Sequence, residues 1–294
     1  MSWLQLELTL GANEAERVET ALNAAGALSV TCCDAADNPL YEPDPLHPPL
    51  WPHTQVSALF PSAVDADALR AVLAAALGRL PPHEFSLLEE REWSREWLKD
   101  FKPMRFGRRL WIVPSACAPP DATAANIRLD PGLAFGTGAH ATTALCLEWL
   151  DGTKLTGKTV IDYGCGSGIL AIAAALLGAL HVWAVDNDPQ ALTATQDNAA
   201  RNRVTSALKI SLPDQLPVSK ADVLLSNILA APLVELAPCF AAHLKSGGSL
   251  VLSGILDSQR DEIHNAYAPW FQFTGDVQSD GWVRMDGLRL PEDR

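Results

Sequence analysis

Three glycines, Gly164, Gly166 and Gly168, stand at alternate positions in the run Val160-Ile-Asp162-Tyr-Gly164-Cys-Gly166-Ser-Gly168-Ile-Leu-Ala. An apolar strand precedes them and an apolar helix follows. Glycine lets backbone approach a bulky ligand closely. The helix start offers N–H groups that have no partner inside the helix. The next apolar run, His181-Val-Trp-Ala-Val-Asp186, ends in an acid 22 residues after Gly164. A carboxylate at that position can accept both hydroxyls of a ribose. The pair reads as a nucleoside-binding site on a doubly wound α/β sheet.

The spacing narrows the nucleoside. A dinucleotide fingerprint, G-x-G-x-x-G, would put its third glycine at position 169, which is Ile169. Here that glycine comes one residue early, at Gly168, and an acid, Asp162, precedes the loop. Asp-x-Gly-x-Gly-x-Gly resembles motif I of the S-adenosylmethionine-dependent methyltransferases. Two further segments carry polar groups. One, Leu129 to Thr143, holds Phe135, Gly136, His140, Thr142 and Thr143 and precedes a helix expected over 143–150. Its small residues suit a loop that closes over a ligand; Thr142 or Thr143 would otherwise serve as helix N-cap. The other, Ala221-Asp222-Val-Leu-Leu-Ser226-Asn227, carries Asn227 to the C-terminal end of an apolar strand. Ligands of open α/β sheets bind outside such ends.

These groups need a frame to hold them, and 294 residues suffice for two domains. The strands expected around the site are 159–163, 182–186, 208–212, 223–227, 249–254, 271–277 and 282–288. The link Ser279-Asp280-Gly281 pairs the last two as a hairpin, so one strand runs antiparallel. Residues 1–88 read β-α-β-β-α-β, the order of a ferredoxin-like fold, with strands over 3–10, 28–34, 54–60 and 84–90. Helices are expected over 14–25 and 65–77, with Asn13 and Asp65 as N-caps and Gly26 and Gly78 at the C-terminal ends. The Pro-rich stretch Pro39 to His53 reads as a stiff loop. A linker helix from Glu89 to Phe101 aligns Trp93, Trp97 and Phe101 on one face. The basic run Lys102 to Arg109 follows, then a strand from Arg109 to Val113. The expected division is therefore 1–88, a connection over 89–109, and a catalytic domain over 110–294.

Net charge is −13, and residues 1–88 hold eleven acids against Arg17, Arg70 and Arg79. That balance repels phosphate and suits a basic partner. No charge-free apolar run approaches the ~20 residues that span a bilayer. The six cysteines show no C-x-x-C spacing and the seven histidines are scattered, so neither a disulfide framework nor a metal site is expected. Free thiols in a cytosolic protein are the plain reading.

Asp130-Pro-Gly-Leu-Ala-Phe-Gly-Thr-Gly-Ala-His140-Ala-Thr-Thr143, the glycine run, Asp186-Asn-Asp188-Pro-Gln and Asn227-Ile-Leu-Ala230 occur in this order. Together they resemble the bacterial methyltransferases that act on large-subunit ribosomal protein eleven, and the likeness covers essentially the whole chain. The family's lid has Thr-His-Pro-Thr-Thr where this chain has Ala139-His140-Ala141-Thr142-Thr143, a change that alters loop stiffness. The resemblance implies a seven-stranded class I methyltransferase domain behind a small ferredoxin-like domain. It implies that Thr143, Gly164, Asp186 and Asn227 contact S-adenosylmethionine, with Asp162, Gly166, Gly168, Phe135, Gly136 and Thr142 lining the same site. The expected reaction is methyl transfer to lysine side chains and the N-terminal amine of a basic ribosomal protein, with Asn227 positioning the amine. A cytosolic monomer that binds neither membrane nor nucleic acid is expected. Rival readings are an RNA base methyltransferase, a nicotinamide dehydrogenase and a non-catalytic S-adenosylmethionine-binding protein. The acid excess disfavours the first and the glycine spacing the second.

Overall fold

The computed structural model describes residues 2–35, 51, 53–89, 102–130, 140–217 and 219–291. The expected linker helix beyond Glu89, Phe135 and Gly136 of the expected lid, and nearly all of the Pro-rich loop lie outside the described residues; Glu89 itself, expected to open that helix, ends a strand. Contacts divide the chain into two compact units, Met1–Trp93 and Ser94–Arg294.

In the first unit β1 (Ser2–Gly11), β2 (Ser29–Asp34), β3 (His53–Pro61) and β4 (His83–Glu89) form an antiparallel sheet of order β2-β3-β1-β4. Helices α1 (Ala12–Ala24) and α2 (Ala66–Leu77) complete the β-α-β-β-α-β order. Alternation in β1 sends Leu4, Leu6, Leu8 and Leu10 inward, where they meet Val56, Ala58 and Phe60 of β3, Val18 and Leu22 of α1, and Leu69 and Leu73 of α2. Asp65 caps α2 by accepting from the Asp67 N–H at 2.9 Å, and Gly78 ends it in the left-handed region at φ +71°. Asn13 does not cap α1. The helix begins two residues earlier than expected, with Gly11 as N-cap and the Glu14 carboxylate reaching back to the Gly11 N–H at 3.4 Å. Asn13 thus falls inside the first turn, because a Glu at the third helical position serves the terminus in its place.

The second unit contains a seven-stranded sheet. Its strands are β8 (Thr159–Tyr163), β9 (His181–Val185), β10 (Leu208–Ser211), β11 (Ala221–Asn227), β12 (Leu244–Leu256), β13 (Phe271–Ser279) and β14 (Trp282–Arg289), in the order β10-β9-β8-β11-β12-β14-β13. Only β14 runs against the others. Adjacent residues of one strand feed opposite cores. Val160, Val223, Leu225 and Val251 pack with helices α3 (Ala141–Gly152), α4 (Ile169–Leu176) and α5 (Pro189–Arg201). Ile161, Leu224, Leu250 and Leu252 pack with α6 (Ala230–His243) and α7 (Arg260–Tyr267). Burial on both faces explains why these strands are unbroken apolar runs. The β13–β14 hairpin turns through Asp280 (φ +51°) and Gly281 (φ +79°), the two left-handed residues of a type I′ turn.

A smaller sheet joins β5 (Met104–Phe106), β6 (Leu110–Val113) and β7 (Ala125–Arg128) in that order. The strand expected from Arg109 to Val113 is β6. The short β5 lies inside the stretch read from sequence as connection, and it pairs antiparallel with β6. Strands of three or four residues leave too little alternation to read. No helix among the described residues is long and apolar enough to cross a membrane.

Candidate functional site

The strand order turns between β8 and β11, and the chain leaves these two strands on either side of that switch. A crevice forms there in open α/β sheets because the connections depart to opposite faces. Every described residue expected in the site lies around this point.

The glycine loop leaves β8 with Gly164, Gly166 and Gly168 all in the left-handed region, at φ +79°, +53° and +78°. The N–H groups of Gly164 and Cys165 donate to the Val185 carbonyl at 2.7 and 3.0 Å, so the loop is tied to the end of β9. A Cβ on Gly164 would overlap the Ile228 side chain, and one on Gly168 would overlap Thr195. The conformation and the packing therefore both demand glycine at these two positions. From the far side, Thr195 donates to the Gly166 carbonyl at 3.0 Å and Asn198 to the Ser167 carbonyl at 2.9 Å.

Asp186 follows β9 directly. Its Oδ2 accepts from the Gly166 N–H at 2.9 Å and its Oδ1 from the Asp188 N–H at 3.0 Å. Each carboxylate oxygen keeps a second lone pair. The half-buried acid thus braces the glycine loop and retains acceptor capacity for two hydroxyls.

Asp162 has a different place. It lies beneath the loop, 1% exposed, and its Oδ2 accepts from the Ala171 N–H at 2.9 Å. Gly168, the N-cap of α4, has no side chain to do this, so Asp162 serves the helix terminus instead. Its Oδ1 is buried with no partner. Burial drives its carboxyl up to about 7; the Ala171 N–H opposes the rise and the Asp186 charge adds to it. This has a consequence for stability. An unfolded aspartate titrates near ~3.9, so between about pH 4 and pH 7 the folded state holds a proton that the unfolded state has released. The group's contribution is complete below that window and is lost as pH rises through it, by at most ~1.4 kcal/mol per pH unit. Urea unfolding of ligand-free protein should show this slope, and Asp162→Asn should lack it. Identical slopes would refute the assignment.

Helix α3 begins at Ala141, with His140 as its N-cap: the ring Nδ1 accepts from the Thr142 N–H at 3.3 Å and lies 2.8 Å from Thr142 Oγ1. This corrects the expectation that Thr142 or Thr143 caps a helix starting at 143. Both threonines are buried inside the first turn, and the imidazole takes the capping role. An Nδ1 that accepts leaves the proton on Nε2. Ala141 occupies the first helical position, where proline is favoured. Of the two departures from the resembled Thr-His-Pro-Thr-Thr, alanine at 141 costs stiffness at the first turn, and Ala139 lies outside the described residues.

Thr143 and Asn227, 84 residues apart, meet directly: Asn227 Nδ2 donates to Thr143 Oγ1 at 3.3 Å. This fixes the amide and leaves its carbonyl oxygen as an acceptor. Sequence reasoning missed the residues that hold this corner. Ser253, the register partner of Asn227 on β12, lies 3.3 Å from the Thr142 carbonyl and donates to it through Oγ. Gly254 (φ +84°) sits so close to Ile228 that a Cβ would overlap the Ile228 carbonyl oxygen. Arg284 of β14 donates to the Leu145 carbonyl of α3 at 2.6 Å while paired with Asp286 at 2.8 Å. Ser253-Gly254 had a signal, since it ends an apolar strand beside Asn227. Arg284 had none.

The arrangement fits S-adenosylmethionine. A glycine turn, an acceptor carboxylate on the neighbouring strand end, and an oriented amide face one switch point. The third glycine stands at 168, one residue before the place where a dinucleotide turn would put it. Among the described residues no group of three or more His, Cys, Asp or Glu is placed to hold a metal ion.

Comparisons with known proteins identify the family. The family model described as ribosomal protein L11 methyltransferase matches residues 2–289. A protein of that name from Azotobacter vinelandii is 52% identical over 291 residues, covering 98% of this chain and 100% of the relative. One from Pseudomonas paraeruginosa is 52% identical, covering 98% and 99%. A crystal structure of a ribosomal protein L11 methylase from Lactobacillus delbrueckii subsp. bulgaricus superposes with a TM-score of 0.58 at 35% identity, covering 65% of this chain and all of the other. With a match spanning nearly every residue and a switch-point site that keeps each described motif, the chain belongs to the ribosomal protein L11 methyltransferase family.

Proposed function

We propose that this protein transfers methyl groups from S-adenosylmethionine to amines of ribosomal protein L11, both lysine side chains and the N-terminal amine. The observation that carries this reading is the junction of Asn227 with Thr143 beside the Asp186-braced glycine loop. Bound there, S-adenosylmethionine supplies an electrophilic methyl group on a sulfonium. Asp186 holds the ribose hydroxyls. The turn at Gly164, Gly166 and Gly168 lets backbone lie against the nucleoside, while Asp162 supports the turn from below. Thr142 and Thr143 border the cofactor's polar end, with Phe135 and Gly136 assigned to the lid by the resemblance. The Asn227 carbonyl oxygen accepts from an amine N–H and thereby points the nitrogen lone pair. The amine sheds its ammonium proton before it attacks. Desolvation favours its neutral form, and positioning supplies most of the rate. No strong base is needed.

The first unit is proposed as a ferredoxin-like recognition module for the basic substrate. The β2-β3-β1-β4 antiparallel sheet with two helices supports the fold assignment. The acid excess supports the role, and argues against a nucleic-acid partner. Residues 1–88, the connection 89–109 and the catalytic part 110–294 are the proposed divisions, in a cytosolic monomer.

Intact mass of purified L11 before and after incubation with enzyme and S-adenosylmethionine tests the reaction. Added multiples of a methyl group support it, and an unchanged mass refutes it. Asn227→Ala should lower turnover at saturating cofactor more than it weakens cofactor binding. Wild-type turnover in that variant would remove the positioning role. Single-turnover rates should climb about tenfold per pH unit below the bound amine's pKa, since only the neutral amine reacts. A flat profile between about pH 6 and about pH 9 would mean that the acceptor is not an amine or that chemistry is not limiting.

A further inference from the structure

At the other end of α3 from Thr143, about 14 Å along the helix axis, lies a second cavity of about 600 Å³. Its walls include Arg108, Arg109, Asp151, Lys154, Leu155 and Leu177. The sequence here is unusual for so acidic a chain: residues 102–109 carry Lys102, Arg105, Arg108 and Arg109 and no acid. The structure builds a support for two of these arginines. Asp151, 7% exposed, accepts from the backbone N–H of Arg108 at 2.7 Å and of Arg109 at 2.8 Å. The turn that permits this runs through Gly107 at φ +64°, where a Cβ would overlap the Asp151 carboxylate. The Arg109 guanidinium pairs with the same carboxylate at 3.6 Å, and so neutralises it. The guanidinium of Arg108 and the ammonium of Lys154 have no ion-pair partner among the described residues. The cavity therefore presents two unpaired cations, with the half-buried Leu177 in the same lining and Leu155 closed off in the core beneath it.

We propose that this cavity binds a nucleotide-sized phosphate ester, with the phosphate at Arg108 and Lys154 and the apolar part against Leu177. A lone phosphate needs far less than the volume present. A long polyanion would meet the repulsion of a chain with net charge −13, whereas a compact ligand within one Debye length of the two cations does not. The site lies at the N-terminal edge of β8, and S-adenosylmethionine is assigned to its C-terminal edge. The two ligands would not compete, and the inference stands independently of the methyl acceptor.

The test is titration of full-length protein with fluorescent ATP at physiological ionic strength, where the Debye length is ~8 Å, with saturating S-adenosylhomocysteine keeping the nucleoside site closed to the probe. Saturable binding is expected, displaced by unlabelled ATP and far less by adenosine. The double variant Arg108→Glu, Lys154→Glu should weaken it by at least about tenfold, as loss of two charge-assisted contacts requires. Its affinity for S-adenosylhomocysteine, which reports the folded catalytic unit, should stay within about twofold of wild type. The charge-neutral Arg108→Gln, Lys154→Gln variant serves if the first does not fold. Three results would overturn the proposal: no binding in the presence of S-adenosylhomocysteine, equal affinity in the folded variant, or displacement by adenosine as strong as by ATP. A short RNA that competes more tightly than ATP would also overturn it, in favour of a polyanion surface.

Discussion

Asp186→Ala should weaken binding of S-adenosylhomocysteine by on the order of 100-fold or more. A hydrogen bond to a charged acceptor contributes ~1.5–3 kcal/mol, and two ribose hydroxyls are at stake. Water replaces part of that, but the variant also loses the brace from Asp186 Oδ2 to the Gly166 N–H and the Asp188 N–H bond to Oδ1. The loop would then have to order itself when the ligand binds, which costs further affinity. Asp186→Asn keeps one acceptor oxygen and should fall between wild type and alanine. Calorimetric titration measures both. Unchanged affinity in folded Asp186→Ala would sink the ribose assignment. NADH should not displace S-adenosylhomocysteine, because the glycine at 168 and Ile169 depart from the dinucleotide spacing.

Removing the first unit should separate cofactor binding from substrate recognition. A fragment beginning near Glu89 keeps the seven-stranded sheet, the β5-β6-β7 sheet and both of their cores. The deleted part has its own sheet and its own core of Leu6, Leu22, Phe60 and Leu73. Neither sheet borrows a strand from the other unit, so each can fold with its own apolar interior. The fragment should bind S-adenosylmethionine normally. Its methyl transfer to full-length L11 should fall by on the order of 100-fold, about 2.7 kcal/mol of lost docking. Transfer to short lysine peptides should change much less. Association of the intact enzyme with L11 should slow as salt is raised, because surface charges are screened beyond ~8–10 Å. Full activity of the fragment on L11 would show that the acidic unit does something else.

Much of this could be read from the sequence, for a local reason. Val160 to Ala171 holds a buried strand, a glycine turn and an apolar helix within twelve residues, and each element depends on its own side chains. The hairpin at Asp280-Gly281 is likewise legible because a two-residue I′ turn needs left-handed residues at both positions. The strands of the large sheet, feeding cores on both faces, appear as apolar runs whatever lies beside them. What only the tertiary structure decided is which distant groups share a hydrogen bond. Nothing local tells Asn227 to meet Thr143, Ser253 to bond the Thr142 carbonyl, or Gly254 to admit the backbone of Ile228. The same is true of Asp151, which lies 43 residues from the arginine N–H that it clamps. Such pairings depend on the order in which strands meet across the switch point. That order is set by burying both faces of one sheet at once, a condition on the whole chain that no window of residues contains.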